Sequence, residues 1–218
     1  DVCSSDLGFL EEHMMRWGIL VVVSALTLAG CAGDSSPSSP SATIDHSYLP
    51  LAQGSSWTYD FGGVEQRIVT NGTATIDGSE WVKIDTYVNG EKTVTDFMRT
   101  ENGISYAKSG PGQNVPEEPR QILVRNKPVG YKWSQTISFQ GTPNKYDYTI
   151  RALDTTITVP AGTFSDVMAI DVLHSIPTPV GDITTDGVYF YSKSVGFLKQ
   201  QTSGIINVEV VLKSYDIK

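Results

Sequence analysis

The chain has 218 residues, 39% hydrophobic and 18% charged, with 20 Gly and 11 Pro. That is enough for one large domain or two small ones, and rich in turn formers. Its 16 Lys and Arg against 24 Asp and Glu leave a net charge of −8, which argues against a nucleic-acid partner held through its phosphates. Two Cys and three His are too few for a disulfide framework, a cysteine zinc site or a histidine metal centre, so neither a metal nor a cofactor is expected.

The opening Asp1-Val2-Cys3-Ser4-Ser5-Asp6-Leu7 resembles the in-frame translation of a sequencing adapter, as an assembly artefact in a metagenomic contig would carry. On that reading residues 1–13 are not part of the protein, and translation starts at Met14 or Met15. Arg16 then supplies a positive start, and Trp17 to Leu28 forms an apolar or small run of twelve residues. As a helix the run is about 18 Å long, too short for a hydrocarbon core of about 30 Å. A charged start, a short apolar run and small residues before a cut describe an export signal over residues 14–30. Leu28-Ala29-Gly30-Cys31 matches the lipobox of bacterial lipoproteins, which implies cleavage between Gly30 and Cys31 and lipid attachment to the Cys31 thiol. Two or more acyl chains on that cysteine anchor a protein stably in a membrane. Ala32 stands where Asp would signal inner-membrane retention in enterobacteria, which favours the outer membrane. Loss of residues 1–30 removes four acids (Asp1, Asp6, Glu11, Glu12) and one base (Arg16), turning the charge of −8 into −5. A mildly acidic body is not drawn to anionic lipid heads, so the anchor does the holding.

Residues 31–46 comprise the lipidated cysteine and a Ser/Pro linker that cannot bury enough surface to fold. As a coil its fifteen residues after Cys31 span on the order of 20 Å, and up to about 45 Å as polyproline II. His46, at its end, reads as a linker histidine.

From 47 to 218 the chain reads as one all-β domain. Asn71-Gly72, Asp77-Gly78, Asn89-Gly90, Asn102-Gly103 and Asp186-Gly187 are turn pairs, separated by β-branched and aromatic runs. Trp81 to Val88 sets Val82, Ile84 and Val88 opposite Trp81, Lys83, Asp85 and Tyr87. In Lys145 to Ala152, Tyr146, Tyr148, Ile150 and Ala152 share a face. In Ile205 to Ile217, Ile206, Val208, Val210 and Leu212 do the same. Period-two alternation places one face on a core. Glu117 to Arg125 could hold one helical turn. The expected architecture is a curved antiparallel meander of about ten strands, an open half-barrel or a sandwich.

Three echoes suggest a duplicated meander, roughly 48–110 and 125–203, joined by Gly110 to Pro119. Gly54-Ser55-Ser56-Trp57 matches Gly130-Tyr131-Lys132-Trp133. Gly78-Ser79-Glu80-Trp81 matches Gly162-Thr163-Phe164. The segment Asn102-Gly103 to Ser109 matches Asp186-Gly187 to Ser194.

Three segments occur together: Leu49-Pro50-Leu51-Ala52-Gln53-Gly54-Ser55-Ser56-Trp57-Thr58-Tyr59, Val159-Pro160-Ala161-Gly162-Thr163-Phe164, and Tyr191-Ser192-Lys193-Ser194-Val195-Gly196-Phe197-Leu198-Lys199. Their order resembles a broad group of uncharacterised bacterial lipoproteins and periplasmic proteins with a "PL..G..W.Y" opening, a "VPAGTF" corner and a late "GVG" strand. Here the last reads Ser194-Val195-Gly196. The resemblance implies a strongly curved antiparallel sheet, distantly like the half-barrels of lipoprotein carriers. Those carriers cover the concave face with helices, for which this sequence has no counterpart.

Catalytic constellations are not evident. His174 is the one histidine of the body, and its neighbours Ser175 and Asp171 fall on the opposite face of a strand. Carboxylates are scattered. Trp57, Trp81 and Trp133 read first as core plugs, and Trp81, Asp85 and Tyr87 form the patch best suited to a ligand. The expected function is therefore non-enzymatic. The leading reading is a membrane-anchored envelope module that binds an apolar small molecule or an envelope protein. A purely structural envelope protein and an envelope hydrolase are the alternatives. A wide apolar concavity would favour the first, a filled core with polar faces the second, and carboxylates converging on His174 the third.

Overall fold

Alternation of apolar and polar side chains makes strand of nearly all the described chain. The computed structural model describes residues 47–110, 118–139, 141–204 and 207–218. The leader, Gly30 and Cys31, the linker, most of the Gly110–Pro119 loop, Ile205 and Ile206 lie outside the described residues. The strands are β1 Ser56–Phe61, β2 Val64–Ile76, β3 Ser79–Val88, β4 Glu91–Glu101, β5 Ile104–Lys108 and β6 Arg120–Val124, then β7 Lys132–Phe139, β8 Thr142–Val159, β9 Gly162–Ile176, β10 Ile183–Ser192, β11 Gly196–Gly204 and β12 Glu209–Asp216. They form one antiparallel sheet of twelve strands in the order β6-β5-β4-β3-β2-β1-β12-β11-β10-β9-β8-β7. No helix occurs among the described residues.

Every neighbour in that order is also a neighbour in sequence, except for the pair β1 and β12. Phe61 faces Val210 and Ser56 faces Asp216 across that junction. The two sheet edges, β6 and β7, are in turn consecutive in the chain. A sheet of this size has to curl, and it curls until those edges come within side-chain reach. The Gln121 N–H of β6 donates to Gln135 Oε1 of β7 at 3.0 Å. The Trp133 indole N–H points at the Gln121 carbonyl at 3.5 Å, a long contact. The barrel is thus closed by backbone ladders all round except at one seam, which side chains bridge.

Turn chemistry explains the hairpins. Asp77-Gly78, Asn89-Gly90 and Asn102-Gly103 each have positive φ at both residues (50° and 74°, 53° and 81°, 50° and 79°) and join adjacent strands as two-residue loops. The other two pairs are not turns. Asn71-Gly72 sits in a bulge of β2, where the register to β3 shifts between Thr70 and Thr73. Asp186-Gly187 lies inside β10, paired with Leu173 and Val172 on one side and with Ser203 and Thr202 on the other. A Cβ on Gly187 would lie 3.3 Å from the Tyr189 ring and 3.4 Å from Thr202, so this glycine makes room for packing. The expected helical turn over Glu117 to Arg125 is strand β6 from Arg120 onward. Ile122, Leu123 and Val124 are all buried, and a short apolar run does not by periodicity separate strand from helix.

Two of the three echoes occupy equivalent places. Gly54 and Gly130, both at φ 84°, precede β1 and β7, and Trp57 and Trp133 are the second residues of those strands. Gly78 and Gly162 open β3 and β9. The third echo is one strand out of step, because Asn102-Gly103 turns into β5 whereas Asp186-Gly187 lies within β10. The structural halves are β1–β6 and β7–β12, divided at residues 125–131 and not at the Gly110–Pro119 loop.

Because the seam lacks a ladder, Gln135→Ala should cost about 1 kcal/mol of stability. It should also speed hydrogen exchange at the Gln121 amide while leaving the β1–β12 amides unchanged.

Candidate functional site

The three segments that recur together in the sequence meet in space. Trp57 Nε1 of β1 donates to the Val195 carbonyl at 2.6 Å, and the Tyr59 hydroxyl donates to the Phe197 carbonyl at 3.0 Å. Pro50 packs on Gly196, where a Cβ would stand 3.2 Å from the proline ring. The Val159-to-Phe164 corner joins β8 to β9, and its Ala161 N–H donates to the Leu212 carbonyl of β12 at 3.1 Å. Val159 and Val167 are buried against Trp57, Leu198, Val210 and Leu212, with Phe164 packed alongside. The corner is therefore structural, as Pro160 and a glycine at φ 139° require.

Inside this knot lies a cavity of about 120 Å³. Leu49 and Leu51 of the segment before β1 line it, as do Trp57, Tyr59, Met98, Ala107, Tyr189, Tyr191 and Phe197. The residues that converge here come from inward positions on both halves of the sheet: Trp57 pairs with Ile68, Ile68 with Thr86, Met98 with Ala107 and Ala107 with Arg120. Two ionisable groups stand among the apolar ones, Asp96 and Arg120.

Asp96 is 3% exposed and accepts from the Gly110 N–H at 3.2 Å. Burial raises its pKa to about 7; the Gly110 N–H works against this and the charge of Asp85 adds to it. The guanidinium of Arg120 lies 5.3 Å over the Tyr146 ring. Burial opposes its charge, but Tyr148, Tyr146, Tyr189 and Tyr191, in that order, hold its pKa above the ordinary arginine value. Burial also lifts the tyrosines themselves, Tyr148 to about 12. The charge on Arg120 persists throughout the physiological range.

The predicted ligand patch has a different surrounding. Trp81, Asp85 and Tyr87 do share the outward face of β3, but Trp81 is 3% and Asp85 1% exposed. Arg99 covers Trp81 at 4.6 Å. Asp85 accepts from Thr95 at 2.5 Å and Asn71 at 2.7 Å, and pairs with Lys92 at 3.0 Å. Burial works against the Asp85 carboxylate, yet these partners lower its pKa. Both faces of β3 are buried, so the expected division into core and solvent faces does not hold there.

His174 lies near the end of β9, two residues before Ile176. Its Nε2 is 2.8 Å from Asn144 Oδ1, and its ring stacks on Tyr146 with centroids 4.4 Å apart. Burial, aided by Arg120, lowers its pKa to about 4. Ser175 is on the other face, and Asp171 pairs with Arg151 at 2.7 Å. Among the described residues no three His, Cys, Asp or Glu side chains converge as a metal site would need.

A second, larger hollow of about 820 Å³ lies over the outward faces of β7 to β11. Lys132, Asp147, Arg151, Asp171, Asp186 and Gln201 border it. Among its charges Arg151 pairs with Asp171, and Asp147 with Lys145 just outside the groove at 2.8 Å. It is an open groove bordered by charged side chains, whereas the interior cavity has the more apolar walls and few placed polar groups of a ligand site.

No protein-family model matches the chain, and no curated protein does. Solved structures do. One is a candidate lipoprotein of Parabacteroides distasonis, with 18% identity, a TM-score of 0.52, and coverage of 78% of this chain and 98% of that one. Another is a candidate exported protein of Bacteroides fragilis described as having a YmcC-like fold, with 12% identity, a TM-score of 0.52, and coverage of 77% and 98%. These similarities establish a shared fold.

Arg120, Asp96 and Tyr189 were not read as site residues in the sequence, and Tyr191 and Phe197 entered only as parts of the late recurring segment. A signal did exist: Val94, Asp96 and Met98 alternate in one strand, which places an acid in an apolar row.

Raised in the folded state, the Asp96 pKa makes stability fall as pH rises from about 4 through 7. His174, lowered to about 4, makes stability fall as pH drops below 6.5. The two trends oppose each other between about 4 and 6.5. Asp96→Asn should therefore stabilise the protein at pH 8, on the order of 4 kcal/mol at most, and chemical denaturation at pH 5 and pH 8 measures the difference.

Proposed function

We propose that this chain is a lipid-anchored protein of the bacterial cell envelope whose barrel interior binds a small apolar ligand without chemical conversion. The leader over residues 14–30 and the Leu-Ala-Gly-Cys lipobox support export, lipidation at Cys31 and a membrane-tethered body, with the outer membrane favoured by Ala32. The descriptions of the two structural neighbours, a candidate lipoprotein and a candidate exported protein, agree with that placement.

The interior cavity carries the binding role. Native cores are close-packed, and an apolar void forfeits contacts on every side. A void of about 120 Å³ is close to the roughly 150 Å³ of an apolar cavity that takes up benzene. Its size selects a ligand body of about six non-hydrogen atoms and argues against the carriage of whole lipids. A protein partner is less well supported. Among the described residues, the exposed large apolar side chains are Val64, Val129, Val180 and Tyr215, which stand on separate elements. The engaged His174 and the opposite orientation of Ser175 favour a binder over a hydrolase.

The test is an NMR titration of the full lipidated chain in bilayer discs with 1-pentanol, with empty discs as reference. The neutral alcohol should bind with a dissociation constant of about 1 mM or tighter, a reasonable yield for six heavy atoms. Ala107→Leu, which fills the cavity from β5, should abolish binding. No binding by the wild type would overturn the reading.

A further inference from the structure

The geometry points to a small organic monoanion, with an apolar body and a single carboxylate-like head, as the class of ligand the cavity takes, its head held by Arg120. This rests on the reading of the barrel interior as a binding cavity and adds the charge of its occupant.

Apart from Asp96, Arg120 and Thr86, the lining is aliphatic or aromatic. Arg120 enters it from β6, in the cross-strand line Met98–Ala107–Arg120. A guanidinium at the wall of an apolar hollow offers planar, directional N–H donors where water competes poorly, and a carboxylate matches them with two parallel, charge-assisted hydrogen bonds. Tyr146 stands beside the guanidinium, and a phenol hydroxyl is a weaker acceptor than a carboxylate.

The other charged lining group is set apart. Asp96 lies two residues along β4 from Met98, and Met98 is two strands from Arg120, a Cα separation of roughly 12 Å. Arg120 and Asp96 thus enter the cavity two strands apart on the same half of the sheet. With that carboxyl largely protonated in mildly acidic solution, the cavity as a whole is positive there, which suits a monoanion and disfavours a cation. The small volume restricts the body to a short chain or single ring. Arg120 is the first residue of β6, beside the β6–β7 seam that side chains and not a ladder close.

The test compares pentanoate with pentanamide, which have the same shape and differ in charge, by NMR titration of the full lipidated chain in bilayer discs at pH 6. Pentanoate should bind at least about tenfold more tightly. Arg120→Met should remove the preference while pentanamide affinity stays within about threefold, and Arg120→Lys should retain part of it. Equal affinities in the wild type would overturn the anion assignment and leave the cavity reading intact. Failure of pentanoate, pentanamide and 1-pentanol alike would overturn both. The wild-type comparison decides the matter even if Arg120→Met does not fold.

Discussion

The structure depends on a sheet that has to meet itself. Twelve strands in meander order would leave two long edges open, and exposed edges invite pairing with other chains. Here β1 and β12 zip together by backbone hydrogen bonds, which brings the two six-stranded halves into one surface. The remaining edges, β6 and β7, are then held opposite each other by the short connection 125–131 and by Gln135 and Trp133. Side-chain bridging closes the barrel without the cooperative strength of a ladder, so the seam is the natural weak point of the wall.

Closure defines an inside, and the inside is unevenly filled. On the β7–β10 side, Trp133, Tyr148, Tyr146 and His174 stack in series, with Trp133 and Tyr148 4.8 Å apart and nearly parallel. On β3 to β5, the inward residues Ile84, Thr86, Met98 and Ala107 are smaller. The cavity occupies that difference. Leu49 and Leu51 form part of its wall, in the segment that directly follows the proposed tether, and Ser194 N–H donates to the Ser47 carbonyl at 2.9 Å to hold that segment in place. The recurring opening, corner and late segments of the sequence thus have a common purpose: they fasten the start of the chain to the β10–β11 turn and to β12 around the hollow.

Much of the sheet was legible because its signals are local. The three Asx-Gly hairpins announce themselves by the left-handed backbone they need, and Tyr146, Tyr148, Ile150, Val210 and Leu212 fell inward as alternation required. Asn71-Gly72 and Asp186-Gly187 misled because the same dipeptide serves a bulge or a crowded strand as readily as a turn. The buried outward face of β3 was hidden because Asp85 is satisfied by residues 14, 10 and 7 positions away, a pattern with no sequence period. The cavity was illegible for a stronger reason. It arises where the β1–β6 and β7–β12 halves face each other, and neither half alone shows that the other fails to fill the space. Arg120 falls in the sequence within Glu117 to Arg125, the stretch expected to hold a helical turn; only the closed barrel places it at the wall of an apolar hollow.

The central claim is that the closed barrel retains an accessible apolar hollow beside Arg120. Diffraction from crystals held under xenon tests it most directly, because xenon enters apolar cavities of this size without needing a head group. The account predicts a single ordered xenon among Met98, Ala107, Tyr191 and Phe197. Crystals that bind xenon only in the outer groove over β7 to β11, or nowhere, would contradict it.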